Sequence, residues 1–98
     1  MIEVSFHRLA AKELREAHAW YFVRDPDVAV RFLYAIDAAI LRIRNDPDSQ
    51  PVDLKSFRWV RVRRFPYRLV FELPESQRVL DLAVADVSRR PGYWRRRS

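Results

Sequence analysis

The stretch FRWVRVRRFPYRLVFELPESQRVLDLAVAD, residues 57–86, alternates apolar and polar side chains with a period of two. Val60 and Val62 stand against Phe57, Trp59, Arg61 and Arg63; Tyr67, Leu69, Phe71 and Leu73 stand against Arg68, Val70 and Glu72; Leu80, Leu82 and Val84 stand against Asp81, Ala83 and Ala85. Successive side chains of a strand point to opposite faces, so this pattern predicts three half-buried strands. Phe65-Pro66 and Pro74-Glu75-Ser76-Gln77 supply turns short enough to make the neighbours antiparallel.

Upstream the period changes. Phe6, Ala10, Leu14, Ala17 and Tyr21 recur every three to four residues with charge between them, which predicts an amphipathic helix from about Arg8 to Val23. Asp25-Pro26-Asp27 breaks it, and Asp25 or Asp27 caps a second helix whose apolar stripe is Val28, Phe32, Ile36, Ala39 and Ile43. So short a break makes the two helices an antiparallel hairpin. Asn45 to Pro51 reads as a loop, and Ile2, Val4 and Phe6 alternate as a short first strand. The order β-α-α-β-β-β defines an α+β fold of two layers, an antiparallel sheet with a helical hairpin on one face. Ninety-eight residues hold one such core, so residues 1–98 are expected to be a single domain.

If Val60/Val62, Tyr67/Leu69/Phe71 and Leu80/Leu82/Val84 face the helices, the other face carries Trp59, Arg61, Arg63, Arg68 and Asp81. Charge follows the same division. Residues 1–50 hold seven basic and eight acidic side chains, whereas residues 51–98 hold twelve basic and five acidic, so the net +6 belongs to the second half. Seventeen of the nineteen basic residues are Arg. The chain has no Cys, which excludes disulfides, thiolate metal sites and a Cys nucleophile, and its one Gly rules out Gly-rich phosphate loops. His7 and His18, eleven residues apart, do not share a helical face, so no metal or other cofactor is expected. No stretch nears the ~20 apolar residues of a membrane span and charge interrupts the first residues early, so a cytoplasmic protein without a leader or membrane role is expected.

Three segments together resemble the RelE/ParE superfamily of toxins of bacterial type II toxin–antitoxin systems, the plasmid stabilisation proteins. They are Ala19-Trp20-Tyr21 with Arg31-Phe32, then Arg64-Phe65-Pro66-Tyr67-Arg68-Leu69-Val70-Phe71, and finally Leu82-Ala83-Val84-Ala85 followed by Arg89-Arg90-Pro91-Gly92-Tyr93-Trp94. The resemblance implies a growth-inhibiting toxin neutralised by a small antitoxin with an acidic C-terminal segment. ParE-like members inhibit DNA gyrase; RelE-like members are ribosome-dependent mRNA interferases. One departure from the family pattern stands out: Asp86 occupies a position where relatives often have His.

On the RelE-like reading, the resemblance makes Arg68, Arg89 and Tyr93 the catalytic residues. RNA cleavage needs a proton acceptor, a proton donor and positive charge on the phosphorane. Arg supplies the last but is a poor base. Lys12 lies on the first helix and Lys55 before the second strand, away from the place where RelE-like members favour Lys. Inhibition of gyrase is therefore favoured over mRNA cleavage, and a non-toxic, basic nucleic-acid-binding module is the third reading. Target contact is expected from Trp59, Arg61, Arg63, Arg68, Arg89, Arg90, Tyr93 and Trp94, and antitoxin contact from Trp20, Phe22, Arg61 and Arg68. Tyr93 and Trp94 equally fit a fold-back at the edge of the core, and Arg95-Arg96-Arg97 either frays into solvent or touches the target. Glu13 and Glu16 are expected on a solvated helix face beside Lys12 and Arg15.

Overall fold

A computed structural model describes residues 2–53, 57–75 and 77–97. Its elements run β1 (Glu3–Phe6), α1 (Arg8–Arg24), α2 (Pro26–Asn45), β2 (Val52–Asp53), β3 (Phe57–Val62), β4 (Tyr67–Glu75) and β5 (Arg78–Asp86), with single 3-10 turns at Pro47–Ser49 and Arg95–Arg97. The expected order holds, with the two-residue β2 added at the edge. Lys55 lies outside the described residues.

Local chemistry sets the helix ends. His7 caps α1 by accepting the Leu9 N–H on Nδ1 at 3.1 Å. Asp25 alone joins the helices: its N–H donates to Tyr21 O at 2.7 Å, closing α1, while its Oδ1 accepts the Asp27 N–H at 3.0 Å, opening α2 ahead of Pro26. An Asx cap followed by Pro at the first helical position satisfies orphan donors at both junctions.

The strand order is β1-β5-β4-β3-β2. The expectation of an antiparallel sheet is corrected at one edge, where β1 runs parallel to β5 with Val4 opposite Val79 and Phe6 opposite Asp81. The sheet is therefore mixed. The intervening hairpin makes this possible, because a parallel pair needs a long crossover connection.

One face of the sheet is sealed by Phe32, Ile36, Ala39 and Ile43 from α2 and Ala17 from α1, packed on Val60, Val62, Leu69, Phe71, Val79 and Val84. The expected set included Leu80 and Leu82 there, and excluded Asp81. The structure reverses all three. Val70 pairs with Ala83 but Phe71 pairs with Asp81, so Leu82 is an extra residue in β5 and the alternation slips by one. A β-bulge of this kind re-aims every side chain on one side of it. Val79 and Asp81 thus share the parity of the helix side, whereas Leu80, Leu82, Ala83 and Ala85 join Val70 in a second apolar cluster on the other face.

That second face is only partly open. After β5 the chain turns at Gly92, whose φ of 85° lies in the left-handed region that glycine enters without penalty. The turn lays Trp94, 4 % exposed, over Val70, Leu82, Ala83 and Ala85, with Phe57, Trp59, Leu80 and Tyr93 around it. The fold-back reading of Trp94 is the observed one.

Candidate functional site

The uncovered part of that face is a concavity of about 370 Å³ at the end of β4 and β5, lined by Arg68, Val70, Ala85, Asp86, Val87, Arg89, Pro91 and Trp94. Arg68 lies with its guanidinium carbon 4.1 Å from the centroid of the Trp59 ring, a cation–π stack that holds the charge on the face. Register places Arg61 directly opposite Arg68 across the β3–β4 pair. Arg61, Arg68, Trp59 and Arg89 therefore sit on or around one basic, indole-bearing surface. Arg63 departs from it: it belongs to the β3–β4 turn and lines a separate groove beside α2. Arg90 lies one turn further on, with Pro91, Gly92, Tyr93 and Arg95.

The segment after β5 is fastened by Glu13, which the sequence placed on a solvated helix face. Its carboxylate is largely buried and takes four donors: Val84 N–H at 3.0 Å and Arg97 Nη1 at 2.9 Å on Oε1, Arg97 Nη2 at 3.1 Å and Arg89 Nη1 at 3.2 Å on Oε2. Arg97 also donates to Leu82 O at 2.9 Å. The reason lies in the sheet. β1 ends at Phe6 opposite Asp81, so beyond that point β5 has an unpaired edge, and its Leu82 C=O and Val84 N–H are satisfied by these two side chains. Arg97 is neither frayed nor free for a target. Chain separation between residues 13, 89 and 97 hid this arrangement from the sequence.

Tyr93 sits beneath the same arginines, with Arg89 3.8 Å and Arg97 5.0 Å from its ring centroid. Burial raises its phenol pKa strongly, and the Glu13 carboxylate raises it further, against the opposing effect of the two arginines. The hydroxyl makes no hydrogen bond of good geometry. A phenol so held stays protonated at neutral pH and is a poor base.

Asp86, standing where relatives often carry His, has a local task. Its Oδ1 accepts both the Ser88 N–H and the Ser88 hydroxyl at 2.8 Å, an Asx turn that sets the direction of the chain toward Arg89. Asp86 also borders a second cleft of about 430 Å³ on the helix side, with Glu13, Glu16, Trp20, Tyr21, Tyr67 and Arg89 among its walls. Burial raises the pKa values of Tyr21 and Tyr67 there, and Asp86 raises both further.

Trp20 and Phe22, expected at an antitoxin interface, are 53 % and 54 % exposed, while Tyr21 between them turns inward onto Phe32 and Phe65. Arg24 lies 3.6 Å over the Trp20 ring. Val30, Leu33, Tyr34 and Leu41 on α2 are exposed as well and extend the apolar surface of the hairpin beyond the two residues read from sequence.

Asp81 is fully buried, one oxygen accepting the Ala83 N–H at 3.1 Å and the other without a partner. Burial holds its pKa well above the ordinary 3.8; the Ala83 bond lowers it and Glu13 raises it. A raised carboxyl binds its proton more tightly in the folded chain than in the unfolded one. Its contribution to stability is thus full at pH below the unfolded value and is lost as pH rises toward the folded value. Asp81→Asn, which cannot ionise, is expected to gain stability relative to the wild type as pH rises above about 4, by on the order of 1–3 kcal/mol at neutrality. Thermal midpoints of both proteins across that range check this, and a pH-independent gap would count against it.

A small α+β domain with a basic, aromatic sheet face, an apolar helical hairpin and no deep catalytic cleft belongs to the class of toxin-like binding domains. The family model described as "ParE toxin of type II toxin-antitoxin system, parDE" matches residues 4–91, and the chain belongs to that family. Among solved structures, a chain of the "Chromosomal ParDE TA system from P. aeruginosa" superposes with a TM-score of 0.73 at 18 % identity, covering 88 % of this chain and 96 % of that one. Among curated proteins, no significant match is found. Among the described residues, no helix is long and apolar enough to cross a membrane.

Proposed function

We infer that this chain is the toxin of a ParDE-type module, held inactive by a cognate antitoxin, and that it acts in the cytoplasm by binding DNA gyrase and not by cutting mRNA. One observation carries the choice of target. Every group that would serve as acid or base on the basic face is already committed: Arg68 to Trp59, Arg89 to Glu13, and Tyr93 to a buried, protonated state. No Lys or His lines the concavity. What the surface retains is guanidinium charge on an aromatic platform, which recognises a partner without transferring protons.

Expression without its antitoxin is expected to stop growth, and the purified chain to inhibit gyrase supercoiling. Unchanged growth on induction would remove the toxin reading. Cleavage of ribosome-bound mRNA that disappears in Arg68→Ala would instead assign the chain to the interferase branch.

A further inference from the structure

Where the β3–β4 turn meets α2, a groove of about 420 Å³ opens between Arg31 and Tyr34 of α2 and Arg63 and Arg64 of the turn, over Val28 and Phe65. No carboxylate lines it. Arg31, Arg63 and Arg64 are exposed, and among the described residues none has a hydrogen bond or ion pair; Asp27, one turn before Arg31, is not paired with it. Arg42 lies close behind, donating to the Arg61 carbonyl, and its pKa is lowered by burial and then by Arg63. Like charge is thus crowded at this corner with nothing on the chain to balance it. The backbone is strained at the same point: Arg64 has φ 72°, in the left-handed region that costs a non-glycine residue roughly 1 kcal/mol.

Three unpaired guanidinium forks over an apolar floor fit carboxylates carried on a chain that also has apolar side chains. The neighbouring surface decides what kind of chain. Val30, Leu33, Tyr34 and Leu41 recur at helical spacing on the outer side of α2 and are 39–69 % exposed, a row that phosphate and sugar do not cover but an amphipathic peptide does. We propose that this groove is the docking site for the acidic side chains of an amphipathic peptide segment from a protein partner. Arg31, Arg63 and Arg64 grip its carboxylates, and its apolar side chains cover Tyr34, Val30, Leu33 and Leu41. The identity of the natural partner as the antitoxin rests on the toxin reading above; the groove chemistry does not.

The test uses two labelled probes on the purified full chain: a short fluorescein-labelled peptide with Glu and Leu at helical spacing, and a short fluorescein-labelled oligothymidylate. The variant Arg31→Ala/Arg63→Ala/Arg64→Gly removes the forks and leaves position 64 free to keep its positive φ. Peptide affinity is expected to fall about tenfold or more, the value of charge-assisted hydrogen bonds lost together, while oligothymidylate affinity changes about twofold or less. Lysine at all three positions is expected to restore only part of the peptide affinity, because charge returns without the planar fork. Unchanged peptide affinity in the Ala/Ala/Gly variant would overturn the proposal, as would a loss confined to the oligonucleotide. An unaltered thermal midpoint shows that the variant is folded. Growth arrest by the wild type is read separately, so failure of the groove and failure of the toxin reading give different results.

Discussion

Glu13→Ala is expected to lower stability by about 2–4 kcal/mol and to release the chain after β5. The variant removes the acceptor of four hydrogen bonds at once. Two losses dominate. The Val84 N–H is left on a buried sheet edge without a partner, a cost of about 1–3 kcal/mol. Arg97, whose side chain is only 13 % exposed, keeps its charge in a largely buried place with no counter-charge unless it swings into water. The Arg89 bond adds little, since that side chain is 52 % exposed and screened by solvent. Because Arg97 holds the 3-10 turn that follows Trp94, its departure uncovers the second apolar cluster. The indole N–H resonance of Trp94 and the exchange protection of the Arg95 and Arg97 amides report this directly, and Glu13→Gln, which keeps an acceptor for Val84, is expected to lose about half as much. Unchanged protection in Glu13→Ala would mean that Trp94 packing alone holds the segment.

Phe32→Ala is expected to cost about 3–5 kcal/mol, the usual range for truncating a buried Phe. Phe32 is completely buried, with ring centroids 5.2 Å from Tyr21, 5.2 Å from Phe65 and 5.6 Å from Tyr67. It is the point where α1, α2 and the β3–β4 turn touch, so the void falls at the junction that fixes the hairpin on the sheet. Against a typical total of about 5–15 kcal/mol, that leaves a marginal domain. Urea unfolding should show a lower midpoint at unchanged slope, with Phe32→Leu losing much less. An unaltered midpoint would show that the hairpin is held elsewhere. The same junction carries Arg63, Arg64 and Phe65, so a loosened hairpin is also expected to weaken whatever binds the groove beside it.

Much of this was legible because it is written in short-range pattern. The 3.6-residue period of α2, its Asp-Pro start, and the two-residue period of β3 and β4 depend on neighbours a few positions apart, where backbone geometry alone fixes which side chains share a face. Arg61, Arg68 and Trp59 were placed on one face for that reason. β5 broke the rule. One extra residue at Leu82 shifts the alternation, turns Leu82 away from the helices and buries Asp81, and nothing in the residues 78–86 by themselves marks where a bulge falls. The groove at Arg31 and Arg63 escaped for a related reason, since its two sides come from a helix and a turn more than thirty residues apart.

The sequence by itself determined the element order, the side of the sheet that the hairpin covers, the basic character of the second half and, through its motifs, the family. Tertiary structure alone decided the partners of Glu13, the fate of the chain after β5 and the pairing of β1 beside β5. The physical reason is that these depend on an unpaired strand edge. Buried backbone groups must find a donor or an acceptor, and which one they find is settled by what folding brings within about 3 Å, not by what lies nearby along the chain. Here that is a glutamate from the first helix and an arginine eighty-four positions away.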